Sequence, residues 1–202
     1  MPRRGMSDSA GIAGGLTLLS LLGVPSTQLH AQNLPGYGSP TAVVISGPEV
    51  GREAPDFSLP WAGKDGPGGD QWFSLSGQRG KVVVLAFYPK DFTRGCTAEM
   101  KAFSEQYADL FGAGVVLAGI NTDSLETHVR FAASLDLPFT LLSDLDQGVS
   151  KQYGSADPSG YVRRTVYVID PEGVVVYRDL QFGPLNAQSY SDLKAAVQAA
   201  RR

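Results

Sequence analysis

Cysteine is nearly absent from this chain of 202 residues: Cys96 stands alone. A single thiol excludes an intramolecular disulfide framework and a zinc cluster built on paired thiolates. Histidine is almost as scarce, with only His30 and His128, which starves most metal and triad chemistries. Basic residues are in no excess: 17 Lys and Arg against 20 Asp and Glu leave a formal charge of −3. They are scattered rather than clustered, so no nucleic acid is expected as a partner. What remains is a soluble composition, 43% hydrophobic and 18% charged, long enough for one domain of ordinary size plus an extension. These counts favour chemistry at one thiol, or none.

Charge is missing altogether from Ser9 to Pro48. Arg3 and Arg4 precede an apolar run from Ile12 to Val24, and Ala31 follows as a small residue at a cleavage point. Those are the parts of a secretory signal. The run is shorter than the ~20 residues of a comfortable membrane span. Residues 1–31 therefore read as a signal peptide or N-terminal anchor, 32–50 as a Gly/Pro-rich linker, and 51–202 as the folded domain. An ordinary buried helix is disfavoured for the leader because Gly14, Gly15 and Gly23 interrupt it. The expected location is exported, in a periplasm or thylakoid lumen, with a membrane contact only if the leader stays uncleaved.

Beyond Gly51 strands and helices alternate. Lys81–Phe87 is a β-branched apolar run, predicted as a strand buried on both faces. Thr93–Phe111 is predicted as one helix, with Cys96, Met100, Phe103, Tyr107 and Leu110 on a single stripe. Strand Val115–Ile120, helix Ser124–Leu135 with Ser124 as N-cap, and strand Phe139–Leu142 follow. Arg164–Ile169 and Val174–Arg178 flank Asp170-Pro171-Glu172-Gly173 and read as a hairpin. Ser191–Ala200 closes the chain as a helix, and the Gly-rich segment Ala62–Asp70 reads as a surface loop. The order indicates an α/β fold with a mixed central sheet flanked by helices.

One segment carries a sharp signal: Pro89, Thr93 four residues on, and Cys96 three further on, between a buried strand and a helix. A cysteine in the first turn of a helix meets orphan N–H groups and the positive end of the helix dipole, both of which favour the reactive thiolate. Thr93 has a hydroxyl to orient an incoming oxygen. Pro89, lacking an N–H, shapes and shields a pocket without competing for hydrogen bonds. Glu99 stands where it can fix a local cation. The bland counterparts are a small core cysteine, a capping threonine and a strand-ending proline.

The motif resembles the active-site signature of the peroxiredoxins (the AhpC/TSA superfamily). Ala54-Pro55-Asp56-Phe57-Ser58-Leu59-Pro60, Gly80-Lys81 and Leu141-Leu142-Ser143-Asp144 agree with it, and the likeness is greatest to the bacterioferritin-comigratory (PrxQ) branch. The resemblance implies a thioredoxin-like fold and a thiol-dependent peroxidase. Cys96 would be the peroxidatic nucleophile, Thr93 the peroxide-orienting hydroxyl and Pro89 the shield. The distant arginine of that family corresponds to Arg164, at the start of a strand ending in Ile169-Asp170, rather than to its neighbour Arg163. A one-residue shift along a strand turns the side chain to the opposite face. The implied substrate is hydrogen peroxide or an organic hydroperoxide, and no cofactor or metal is required.

Two departures from the branch stand out. Lys101 occupies the position five residues on where many members carry a resolving cysteine, so recycling falls to an external thiol, thioredoxin or glutathione, or to a partner chain in a homodimer. Arg94 stands where relatives often have proline. The sequence also admits two rivals: a non-catalytic thioredoxin-like scaffold with an inert thiol, and a thiol-disulfide oxidoreductase. The latter wants Cys-x-x-Cys, and Glu99 fills its second position.

Overall fold

Seven strands form one mixed sheet in the order β2-β1-β5-β4-β3-β6-β7. The computed structural model describes residues 47–201, so the leader proposed for residues 1–31 and most of the linker lie outside the described residues. The strands are β1 Ser58–Gly63, β2 Gly66–Ser74, β3 Val82–Phe87, β4 Val115–Asn121, β5 Thr140–Ser143, β6 Thr165–Ile169 and β7 Val175–Asp179. The helices are α1 Arg94–Glu105, α2 Tyr107–Leu110, α3 Leu125–Ser134, α4 Gly148–Gln152 and α5 Ala187–Ala200.

β3 is the axis. All six of its residues are buried, and it runs parallel to β4 and antiparallel to β6. Its side chains alternate between two cores, as period 2 requires. Val82, Val84 and Ala86 join Met100, Phe103, Phe131, Leu193 and Val197 under α1, α3 and α5. Val83, Leu85 and Phe87 join Phe57, Tyr153 and Tyr167 on the opposite face, with Val149 of α4. Each Val, Leu, Phe or Met side chain so withdrawn from water contributes about 1.5–3 kcal/mol.

The hairpin between β6 and β7 turns through the predicted residues. The Gly173 N–H bonds the Asp170 carbonyl at 3.0 Å, and Gly173 takes φ 87°, a value suited to glycine. Ser124 caps α3 by accepting the Thr127 N–H at 3.3 Å. Gly47–Val50, at the end of the assigned linker, lie against the domain, with Gly47 buried and Arg178 Nη1 donating to the carbonyls of Gly47 and Pro48.

Two expectations are corrected. Ala62–Asp70 is the tip of the β1–β2 hairpin rather than a surface loop, with Ala62 opposite Pro67 and Gly63 opposite Gly66. Its glycines have a packing reason: a Cβ on Gly68 would lie 2.3 Å from the Trp61 ring, so a bare backbone is what lets the indole lie across the hairpin. The single helix Thr93–Phe111 is two, because Gln106 leaves helical geometry at φ −102°, ψ 12° between α1 and α2.

Candidate active site

β3 delivers the chain into the segment Tyr88–Thr93, and α1 starts immediately after it. Thr93 is the N-cap in extended geometry, and its carbonyl accepts the Thr97 N–H at 2.8 Å. Cys96 therefore sits one residue before the ladder begins, in the unsatisfied first turn. It is fully buried. The Thr93 hydroxyl does not close the helix end; it donates to the Lys90 carbonyl at 3.0 Å. Pro89 is half-buried beside it.

Arg164 reaches this turn from across the sheet. Thr165, the residue after it, pairs with Phe87 at the end of β3, so Arg164 projects at the same end of the sheet from which α1 departs. Its Nη2 donates to Cys96 Sγ at 3.3 Å, and its Nη1 forms an ion pair with Glu99. Arg163 takes a different course, with Nη2 on the Gly154 carbonyl at 2.5 Å. Arg94 and Lys101 are exposed on α1, and Lys101 pairs with Glu105 at 3.6 Å.

Glu99 is one turn after Cys96 and entirely buried. Burial pushes its carboxyl up to about 7, against the attraction and hydrogen bond of Arg164. Its Oε1 has no hydrogen-bond partner, which is consistent with a group held close to neutrality. The Arg164 guanidinium is itself partly desolvated, yet its interactions with Glu99 and Cys96 raise its pKa. Cys96, Glu99 and Arg164 thus form one cluster, with Thr93 and Pro89 on the loop that leads to it.

One participant escaped the sequence reading. Gly95 lies against the Arg164 guanidinium, and a Cβ there would be 2.7 Å from Nη2. The signal available was a glycine directly before the cysteine, at a helix position where glycine is costly. Among the described residues no cluster of His, Cys, Asp and Glu is arranged to hold a metal ion.

A strand-to-helix turn with a buried thiol and an arginine reaching it from a neighbouring strand is the arrangement of a thiol-chemistry protein on a thioredoxin-like sheet. Residues 50–178 match the AhpC/TSA family. A Coxiella burnetii chain named as a bcp peroxiredoxin is 43% identical over 134 residues, covering 63% of this chain and 85% of that one. The chloroplastic peroxiredoxin Q of Sedum lineare is 44% identical over 138 residues, 66% of this chain and 70% of that one. Among solved structures, the bacterioferritin comigratory protein of Xanthomonas campestris superposes with TM-score 0.60 at 25% identity, covering 72% of this chain and 92% of that one. The chain belongs to the AhpC/TSA family, in its bacterioferritin-comigratory/PrxQ-like branch, and is a thiol-dependent peroxidase without a second cysteine.

Proposed function

We propose that Cys96 is the peroxidatic nucleophile, that Arg164 and Thr93 are its catalytic partners, and that Pro89 and Glu99 support them. The observation that carries this is the guanidinium of Arg164 donating to Cys96 Sγ at 3.3 Å in the first turn of α1. The arginine charge and the helix end both favour thiolate there. The Thr93 hydroxyl proton is committed to the Lys90 carbonyl, so toward a hydroperoxide the hydroxyl acts as an acceptor for the peroxide O–H.

The thiolate attacks the terminal oxygen of ROOH, and the S–O bond forms as the O–O bond breaks. The electron pair leaves on RO⁻, which takes a proton from solvent. Sulfur is oxidised by two electrons to sulfenic acid while the peroxide is reduced to an alcohol or to water. Arg164, facing the sulfur, stabilises the charge as it moves onto the leaving oxygen. An external thiol then condenses with the sulfenic acid, releasing water, and a second thiol displaces the mixed disulfide to restore Cys96.

The Xanthomonas relative is described for alkyl peroxide reduction, which supports organic hydroperoxides beside hydrogen peroxide as substrates here. Thioredoxin and glutathione are the candidate reductants, and a homodimer joined through Cys96 is the alternative resolved form. For domain organisation we retain residues 1–31 as a leader, 32–50 as a linker and 51–202 as the catalytic domain, in an exported protein. The chloroplastic designation of the Sedum relative supports a targeting leader, and no helix among the described residues is long and apolar enough to cross a membrane.

The complete burial of Cys96 favours the rival reading, a scaffold with an inert thiol. Mixing reduced protein with excess hydrogen peroxide, without reductant, and following intact mass decides between them. Gain of one oxygen or of a covalent dimer within seconds, abolished in Cys96→Ser, is expected. No mass change over minutes overturns the peroxidase reading.

A further inference from the structure

Asp91 lies midway along the segment between β3 and α1, and its side chain is wholly buried together with that of His128. A buried carboxylate is costly unless every oxygen is satisfied, and here three side chains supply the partners. Tyr88, directly after β3, donates its hydroxyl to Oδ1 at 2.7 Å. Asn121, the last residue of β4, donates Nδ2 to the same oxygen at 2.9 Å. His128 on α3 places Nδ1 2.8 Å from Oδ2. Burial and the Asp91 charge together hold Tyr88 well above its ordinary pKa, so it stays a donor.

The other nitrogen of His128 anchors the ring to a further strand. Nε2 lies 3.2 Å from the Leu142 carbonyl of β5, and a carbonyl only accepts, so Nε2 carries hydrogen. A proton then lies between Nδ1 and Asp91 Oδ2, whichever atom owns it. The pair ties the active-site segment to β4, α3 and β5 at once.

The same face of α3 grips the next residue. Phe92 adopts φ 58°, a left-handed conformation that is strained for an aromatic residue. Its ring packs on Phe131 at 5.0 Å between centroids, and Phe131 lies three residues after His128, on one helix face. The strained turn at Phe92 is what redirects the chain so that Thr93 can cap α1.

Resting on the peroxidase reading, we propose that His128 and Asp91 are positioning residues for the peroxide reaction. They act as a buried pair that locks the segment from Pro89 to Thr93 onto α3 and so sets where Thr93 and the first turn of α1 stand relative to the substrate.

The test compares two rates at Cys96 in the reduced full-length protein. Oxidation by hydrogen peroxide, followed by rapid quench and intact mass, needs an oriented O–O bond; alkylation by iodoacetamide needs only thiolate. Asp91→Ala and His128→Phe are expected to slow oxidation by about 10–100-fold while alkylation stays within about threefold, since small misplacements near the chemistry have effects of that order. Asp91→Asn is expected to restore oxidation to about a third of the wild-type rate or better. Its Oδ1 still accepts from Tyr88 and Asn121, its amide donates to Nδ1, and neutral His128 keeps Nε2–H on Leu142.

Where Asp91→Ala does not fold, His128→Gln is the deciding variant, because it retains a donor for Asp91 and loses the Leu142 anchor. A fall in its oxidation-to-alkylation ratio at an unchanged melting temperature supports the proposal. Equal falls in both rates, or no rescue by Asp91→Asn, overturn it and leave the pair a merely structural one. A wild-type protein inert to peroxide overturns the peroxidase reading, and this inference with it.

Discussion

Gly95 and Arg164 exclude one another's volume: a Cβ on Gly95 would stand 2.7 Å from Arg164 Nη2, so the guanidinium reaches Cys96 only across a bare backbone. Gly95→Ala therefore separates folding from chemistry. Alanine is worth up to about 1 kcal/mol over glycine inside a helix, and the displaced group is the end of a flexible side chain, so the melting temperature should hold or rise. Oxidation of Cys96 by peroxide should fall about tenfold as the arginine is pushed away, a rise of about 1.4 kcal/mol in the barrier. Stopped-flow oxidation beside a thermal melt checks both halves, and an unchanged oxidation rate removes Arg164 from the mechanism.

Arg164→Ala should do more than slow the reaction. The variant removes the donor to Cys96 Sγ and the cation that faces buried Glu99. Alkylation of Cys96 at pH 7 should slow. Stability near neutral pH should drop, because an unpaired buried charge costs on the order of 3 kcal/mol or forces protonation. The double variant Arg164→Ala/Glu99→Gln should recover stability but not alkylation. Recovery of both would assign the effect to packing.

The pH dependence of stability follows from Glu99. Its folded-state value of about 7 lies above the unfolded 4.5, so the folded protein binds the extra proton between those values. Its contribution to stability is complete below pH 4.5 and is lost as pH rises through 7, amounting to about 3 kcal/mol at most. Denaturant titrations at pH 5 and pH 8 on Glu99→Gln should show this slope flattened. An identical slope in wild type and variant would place the titration elsewhere.

Thr93→Val keeps the shape of the N-cap side chain and deletes its hydroxyl. The lost bond to the Lys90 carbonyl is worth about 1 kcal/mol, a small stability change. Peroxide oxidation should slow by about tenfold or more, as expected when a positioned hydrogen-bond partner is withdrawn from a reacting oxygen. Iodoacetamide alkylation should be unaltered. Equal rates of peroxide oxidation in both proteins would exclude the hydroxyl from substrate orientation.

The sheet's interior was legible because its strands are hydrophobic on both faces. Val82–Phe87, Val115–Asn121 and Thr165–Ile169 carry enough apolar, β-branched side chains to declare themselves without periodicity. β1 and β2 were not legible, since Gly66–Asp70 carries loop residues whose purpose, room for Trp61, exists only once the hairpin has formed. The α1–α2 break was hidden by Tyr107 and Leu110, which continue the apolar stripe across Gln106.

At the site, the spacing of Pro89, Thr93 and Cys96 marked the loop because its residues are local in the chain. Arg164, 68 residues from Cys96, was legible through family resemblance rather than spacing. The role of Gly95 needed Arg164 placed first. The pairing of Asp91 with His128, 37 residues apart, left no trace in any local pattern.

The zero exposure of Cys96 divides the catalytic cycle into two steric regimes. Hydrogen peroxide, little larger than water, is small enough to be admitted by a slight shift of Arg164 or of the first turn of α1. A reducing thiol carried on a protein is not, and the oxygen added by oxidation makes the enclosure tighter still. The enclosure therefore works as a size filter in the oxidising direction and as a bolt in the reducing one. Reduction by a thiol carried on a protein would require the first turn of α1 to come away, which would couple the stability of that single turn to recycling.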